Sequence, residues 1–255
     1  MRELLRKHPR LVALAKLTRE NLRKYPRLID AATSVSRKLG KQPEIYRVLK
    51  PALHRLGAFS FLQAGANDGI SHDSFREFVL MKQVHGILVE PLPFIFDQLR
   101  GNYRCKPSGL IFENCALSYP ASTVNFFTLD PEFLKTIPAE SKWLGEVAGM
   151  SREHVLKHLP KDKDWAKHIV ELKVPAHTIE KLMQKNGLGS IDCLFLDLEG
   201  HEPNVLLNMD FEKVKPRLIV YEHMHLGEQR PVVDAHLKAL GFNLQVCLQD
   251  VVATR

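Results

Sequence analysis

Three apolar runs, each stopping abruptly at a polar or glycine-bearing turn, constrain this chain more than any other feature. Ala58-Phe59-Ser60-Phe61-Leu62-Gln63-Ala64 meets Gly65-Ala66-Asn67-Asp68-Gly69. His85-Gly86-Ile87-Leu88-Val89 meets Glu90-Pro91, and Ile191-Asp192-Cys193-Leu194-Phe195-Leu196 meets Asp197-Leu198-Glu199-Gly200-His201-Glu202. Short, nearly continuous apolar runs read as strands covered on both faces, the condition of parallel sheets. Further runs, Ile169 to Val174, Arg217 to Tyr221 and Phe242 to Leu248, alternate with helical patterns such as Ile179 to Lys185, which Asn186-Gly187 ends. That alternation predicts an α/β fold with a mostly parallel sheet and helices on both faces.

In such sheets ligands bind beyond the carboxyl ends of the strands, so the three turns are the candidate site. Gly65 and Gly69 allow a sharp bend and a close backbone approach, while Asn67 and Asp68 tolerate left-handed geometry and offer hydrogen bonds. The spacing differs from Gly-x-Gly-x-x-Gly, which disfavours a pyrophosphate cradle and hence a nicotinamide-dependent oxidoreductase. Glu90 follows at about the twenty-residue interval where doubly wound folds place an acid for ribose hydroxyls. Alone it would read as a loop charge or helix cap.

Asp197 arrives at the same sheet edge with Glu199, His201 and Glu202; Glu202 also suits plain capping of the following helix. Glu222-His223-Met224-His225 ends another strand, which places His223 near Asp197 if the strands are neighbours. Histidine titrates near neutral pH and suits proton abstraction, so His223 is the expected base and Asp197, also a candidate cofactor-binding residue, the group orienting acceptor or cofactor, or the reverse. Asp197, Glu199, His223 and His225 are chemically able to bind a divalent metal, but their spacing matches no metal motif and no metal ligand is assigned. His225 also reads as a surface residue.

The segments Gly65-Ala66-Asn67-Asp68-Gly69, Val89-Glu90-Pro91, Asn114-Cys115-Ala116-Leu117-Ser118 and Asp197-Leu198-Glu199-Gly200-His201-Glu202, taken together, resemble the FkbM family of S-adenosylmethionine-dependent methyltransferases. The resemblance implies a class I, Rossmann-like methyltransferase domain over residues 55–255 and methyl transfer to oxygen, often a sugar or polyketide hydroxyl. It implies S-adenosylmethionine held by Gly65, Ala66, Asn67, Asp68 and Gly69 around the methionine portion, Glu90 at the ribose and Asn114 with Ala116 at the adenine. Asp197, Glu199 and His223 are left for catalysis. The chain departs from the family at Gln63, where an Asp commonly meets the cofactor's ammonium; Asp68 is the expected substitute.

Charge divides the molecule. Residues 1–55 hold 15 Lys and Arg against 4 Asp and Glu, whereas the remainder is net acidic. Residues 1–54 therefore read as a basic helical extension. Leu11, Leu14, Ala15, Leu22 and Tyr25 line one face of a first helix, Leu28, Ala31, Ala32, Val35 and Leu39 one of a second, and a third around Ile45 to Leu53 is kinked or broken at Pro51. Packing on the domain is its default role, and peripheral contact with an anionic membrane the alternative. Without basic residues interleaved with aromatics, nucleic acid is disfavoured. A non-catalytic scaffold that docks through this arm remains the rival to an enzyme.

No apolar stretch suits a membrane span or secretory signal, and the Ser-poor start argues against a mitochondrial presequence. Cys105, Cys115, Cys193 and Cys247 lack paired spacing and read as reduced thiols, so the expected compartment is the cytoplasm. Residues 119–170 read as an insertion. It carries a strand at Thr123 to Leu129 and a helix that Ser151 caps with His154 at its third position, and it is expected to form an acceptor-side lid.

Overall fold

The computed structural model describes residues 44–255 apart from 72, 82 and 105–107. The two helices expected before residue 44, and Cys105, lie outside the described residues. The first element is α1 (Glu44–Leu56), which buries Ile45, Leu49, Ala52 and Leu53. Pro51 does not break it. The Arg47 carbonyl that loses its bonding partner lies on the exposed side, where water can replace the missing N–H.

The order continues β1 (Phe59–Ala64), α2 (Arg76–Val79), β2 (Val84–Val89), α3 (Pro93–Asn102), β3 (Leu110–Glu113), β4 (Ala116–Leu117), β5 (Ser122–Leu129), α4 (Pro131–Thr136) and α5 (Arg152–His158). After these come β6 (Ile169–His177), α6 (Ile179–Lys185), β7 (Cys193–Leu196), α7 (Glu202–Leu206), α8 (Phe211–Val214), β8 (Leu218–Glu222), α9 (Arg230–Ala239), β9 (Asn243–Cys247) and β10 (Asp250–Thr254).

Seven strands form the main sheet in the order β3-β2-β1-β7-β8-β10-β9. The first five are parallel, and β10 runs antiparallel to both its neighbours. Alternation sorts their side chains into two cores. Leu62, Leu194, Leu196, Ile219 and Tyr221 face α6 to α9, while Phe59, Phe61, Cys193, Phe195, Leu218 and Val220 face α1 to α3. Each of these side chains is removed from water, which explains why the strands read as unbroken apolar runs. The expected Rossmann-like architecture is present.

The chain winds outward from β1 through β2 in one direction and from β7 through β8 in the other. Adjacent β1 and β7 therefore diverge at their carboxyl ends and open a crevice between the turns that follow them.

Two expectations change. The strand from Ile169 leaves the main sheet and joins β4 and β5 in a separate three-stranded sheet, parallel to β4 and antiparallel to β5. Its side chains are only partly buried along most of its length, as is usual for a sheet with one wet face. The terminal strand β10 was not anticipated. It forms a hairpin with β9 and sets Asp250 opposite Glu222 of β8.

Candidate active site

The crevice opens into a cavity of about 560 Å³, lined by Gly65, Ala66, Asn67, Glu90, Ala116, Asp197, Glu199, Glu222 and His225 among others. Residues from the insertion, including Phe126, Trp143, Ala148, Met150 and His158, cover another side. The insertion therefore borders the cavity.

Hydrogen bonds hold the turn after β1. Ala66 N–H donates to the Val89 carbonyl at 3.1 Å, and Asp197 N–H donates to the Ala64 carbonyl at 3.1 Å, so three strand ends are tied together. Gly65 has φ +74°, and a Cβ there would stand 1.9 Å from the Asp197 carbonyl oxygen. Only glycine permits that approach. Asn67, at φ +48°, directs its N–H to Glu90 Oε2 at 3.0 Å, and Glu90 Oε1 accepts from Leu92 N–H at 2.9 Å. Both carboxylate oxygens keep lone pairs for a ligand.

Burial pushes the Glu90 carboxyl up to about 7 despite those two amide donors; Asp197 and Asp68 add smaller repulsion. A carboxylate poised near neutrality is readily stabilised in its charged form by incoming hydroxyl donors.

The other expected binding residues support the cavity from behind. Asp68 accepts from Ile70 N–H at 2.8 Å, Ser71 N–H at 2.6 Å and Ser71 Oγ–H at 3.0 Å, and it does not line the cavity. Its charge is engaged by its own loop, as an Asx turn requires. Gly69 packs on Leu99 and Tyr103. Asn114 donates from Nδ2 to the Glu90 and Pro91 carbonyls at 2.8 and 3.0 Å, so it braces the Glu90 turn, while Ala116 faces the cavity.

Asp73, which sequence reasoning missed, lines the cavity. Its Oδ1 accepts from Phe75 and Arg76 N–H, and its carboxylate takes a further hydrogen bond from the Gln63 side chain. Gln63 Oε1 is buried without a hydrogen-bond partner among the described residues. An orphaned acceptor beside a carboxylate suits an ammonium group, and Gln63 is the position at which the resemblance leads to the expectation of an Asp. No local pattern marks Asp73; only the loop's return past Gln63 brings it into place.

The opposite rim is built from strand ends and a strained turn. Glu199 has φ +54°, uncommon for a residue with a side chain, and Gly200 at φ +94° lies against His225, where a Cβ would meet the His225 carbonyl at 3.2 Å. Fully buried Glu202 holds this turn by accepting from Leu198 N–H at 2.6 Å and Gly200 N–H at 3.0 Å. That is a brace rather than only a helix cap. Glu199 Oε2 consequently stands 3.1 Å from His154 Nε2 and 3.4 Å from His225 Nε2.

Carboxylates crowd this rim. Burial raises Glu222 to about 9, with Asp197, Glu199, Glu202 and Asp250 repelling its charge. Asp197 is raised to about 7 by burial and then by Glu199 and Asp250. Its side chain is wetted by the cavity, which softens the burial effect there more than at enclosed Glu202, raised to about 8. Desolvation lowers His225, against the pull of Glu199.

His223 differs from its expected placement. It is buried, does not line the cavity, and its Nε2 lies 2.9 Å from the Leu248 carbonyl. The register explains this: Glu222 pairs with Asp250, and His223 N–H then bonds the Gln249 carbonyl. His225, two residues later, reaches the cavity instead. His154 and His158 come from the capped helix α5, whose Ser151 Oγ accepts from His154 N–H at 3.2 Å as the sequence predicts. Capping located the helix, but no sequence signal pairs it with Glu199.

Among the described residues no helix is long and apolar enough to cross a membrane. Cys115, Cys193 and Cys247 are buried and free.

No curated protein matches this chain. Among solved structures it is similar to an FkbM methyltransferase from Methylobacillus flagellatus KT, at 11% identity and a TM-score of 0.48 over 78% of this chain and 44% of that one. This chain thus spans less than half of that protein's length. It is also similar to a putative O-methyltransferase from Klebsiella pneumoniae, at 10% identity and a TM-score of 0.40 over 83% and 78% of the two chains. Aeropyrum pernix fibrillarin, whose structure contains natively bound S-adenosyl-L-methionine, aligns at 8% identity and a TM-score of 0.40 over 77% and 66%. The sequence model of the methyltransferase FkbM domain matches residues 63–244, well over half of the chain and the carboxyl ends of β1, β2, β7 and β8. With the motifs, the strand order and the matched span in agreement, the chain belongs to the FkbM methyltransferase family and has its class I fold.

Proposed function

We propose that this protein transfers a methyl group from S-adenosylmethionine to a hydroxyl of a sugar or glycan. The observation that carries the reading is one cavity with two unlike rims: a tied loop with a ribose-type carboxylate at Glu90, and a carboxylate–imidazole cluster around Asp197. Asp73 and Gln63 Oε1 would receive the cofactor's ammonium, Glu90 its ribose hydroxyls, and the wall around Ala116 its adenine. When bound, S-adenosylmethionine supplies an electrophilic methyl carbon on a positive sulfur.

The chain's part is to bring an acceptor hydroxyl to that carbon and remove its proton. Asp197 suits the proton transfer because it lines the cavity, whereas His223 is turned to a backbone carbonyl. Glu199 orients the acceptor through its oxygens. The insertion walls, with Trp143 and Phe126, offer aromatic faces of the kind that pack on sugar rings. Residues 1–54 carry the basic arm, for which we propose a packing or membrane-surface role, and the buried free thiols suit a cytoplasmic protein.

Calorimetry with S-adenosylmethionine and S-adenosylhomocysteine tests the cofactor rim, and transfer of labelled methyl to a panel of sugars and glycans tests the acceptor. Absence of affinity for both nucleosides sinks the reading. Binding without transfer to any hydroxyl would leave the non-catalytic scaffold.

A further inference from the structure

His154 on α5, Glu199 after β7 and His225 after β8 come from three distant segments, yet one ligand atom from each lies within 4.8 Å of the others. The separations from Glu199 Oε2 are 3.1 Å to His154 Nε2 and 3.4 Å to His225 Nε2. Metal bonds of about 2.1 Å to imidazole nitrogen and carboxylate oxygen set neighbouring ligands roughly 3.0–3.4 Å apart in octahedral or tetrahedral geometry. The two separations from Glu199 are therefore those of a ligand shell, and the two imidazole nitrogens lie within 4.8 Å of each other.

A second observation points the same way. His154 is only 8% exposed, and its Nε2 has no hydrogen-bond partner among the described residues, because its approach to Glu199 lacks hydrogen-bond geometry. A buried nitrogen left in that state costs free energy that a bound cation would recover. Behind it, Asp197, Glu199 and Glu222 form an overlapping triad at the same spacing. Among the described residues no Lys or Arg ion-pairs with these carboxylates, so no internal cation competes for them.

We propose that His154, Glu199 and His225 bind a borderline divalent cation such as Zn2+ or Co2+, with Asp197 and Glu222 as nearby carboxylates. Two imidazoles favour these ions over Mg2+, which prefers oxygen throughout. Three protein ligands leave positions open toward the cavity, where the oxygens of a hydroxylated acceptor can complete the shell. That use of the metal rests on the methyl-transfer reading; the binding of metal does not. Of the residues read from the sequence as chemically able to bind a metal, Glu199 and His225 are ligands here, Asp197 stands nearby, and His154 takes the place of His223.

The test is titration of the chelator-treated full chain with Zn2+, Co2+ and Mg2+ by calorimetry, alongside the His154→Ala, Glu199→Gln and His223→Ala variants. One site per chain is expected for Zn2+ and Co2+, tighter than for Mg2+. Affinity should fall more than about 100-fold in His154→Ala and Glu199→Gln, beyond what changes to outer-shell partners give, and hold in His223→Ala. Circular dichroism and S-adenosylhomocysteine affinity, measured without metal, report folding and test the cofactor reading separately. Should a variant not fold, electron paramagnetic resonance of the Cu2+ adduct of the unaltered protein serves, with coupling from two imidazole nitrogens expected. No saturable site, equal affinity in folded His154→Ala, or an adduct without nitrogen coupling overturns the proposal.

Discussion

The two rims of the cavity are held in opposite ways. At the Gly65 turn the polar groups other than Gln63 Oε1 are spoken for: Asp68 binds its own loop, Asn114 braces Glu90, and both Glu90 oxygens accept backbone N–H groups. Across the cavity, Glu199 is in left-handed backbone geometry, Asp197, Glu199 and Glu222 repel one another, and His154 Nε2 is buried without a hydrogen bond. A satisfied loop is rigid and suits recognition of an unchanging cofactor. In a crowded cluster of this kind a proton, a reacting group or a cation relieves the repulsion, and the turn depends on braces such as Glu202 to persist.

The largest effect should separate the rims by function. Asp197→Asn is expected to slow labelled methyl transfer by about 100- to 10,000-fold while affinity for S-adenosylhomocysteine falls far less. Equal losses in rate and affinity would move Asp197 to the recognition rim. Gly65→Ala attacks the junction between them, since its Cβ would overlap the Asp197 carbonyl. A loss of about 3 kcal/mol or more is expected, read as a fall in Tm of roughly 6–12 °C; an unchanged Tm would show that the turn can relax.

A smaller effect tests Glu90 through pH. Its folded pKa, about 7, is raised by burial, so below that value the free protein holds it protonated, whereas its proposed role toward ribose hydroxyls calls for the ionised form. Affinity for S-adenosylhomocysteine should level off above pH 7 and fall by up to about tenfold per pH unit below it. In Glu90→Gln that dependence should vanish and affinity at pH 8 drop by about tenfold, the worth of one charge-assisted hydrogen bond; a retained slope would place the titration elsewhere. By the same linkage, ionising Glu90 removes stability from the free protein as pH rises from about 4.5 to about 7. The smallest effect is Ser151→Ala, which deletes the cap of α5 and should cost about 1 kcal/mol in denaturant unfolding. Loss of metal affinity alongside it would tie α5 to the frustrated rim.

Strand ends were legible in the sequence because burial on both faces demands continuous apolar runs, and a run that stops at Gly65, Glu90 or Asp197 announces its own boundary. Capping chemistry likewise located α5 and α6 from single residues, Ser151 and Asn186. Half-exposed β6 was legible as a strand but not as a member of another sheet, since its pattern does not specify its partner. The short run in β10 carries no turn or glycine signal that marks it as a strand, so the pairing that turns His223 inward is hidden in the sequence.

What the sequence determined alone was the kind of fold and the edge of the sheet where ligands meet it, both consequences of local periodicity and turn chemistry, and the family, through the resemblance of its motifs. Tertiary structure decided which side chains face one another: His154 with Glu199, Asp73 with Gln63, and His225 in place of His223. Those pairings depend on strand register and on the path of an insertion, and neither is encoded by neighbours in the chain, because a one-residue shift in pairing exchanges inward and outward side chains.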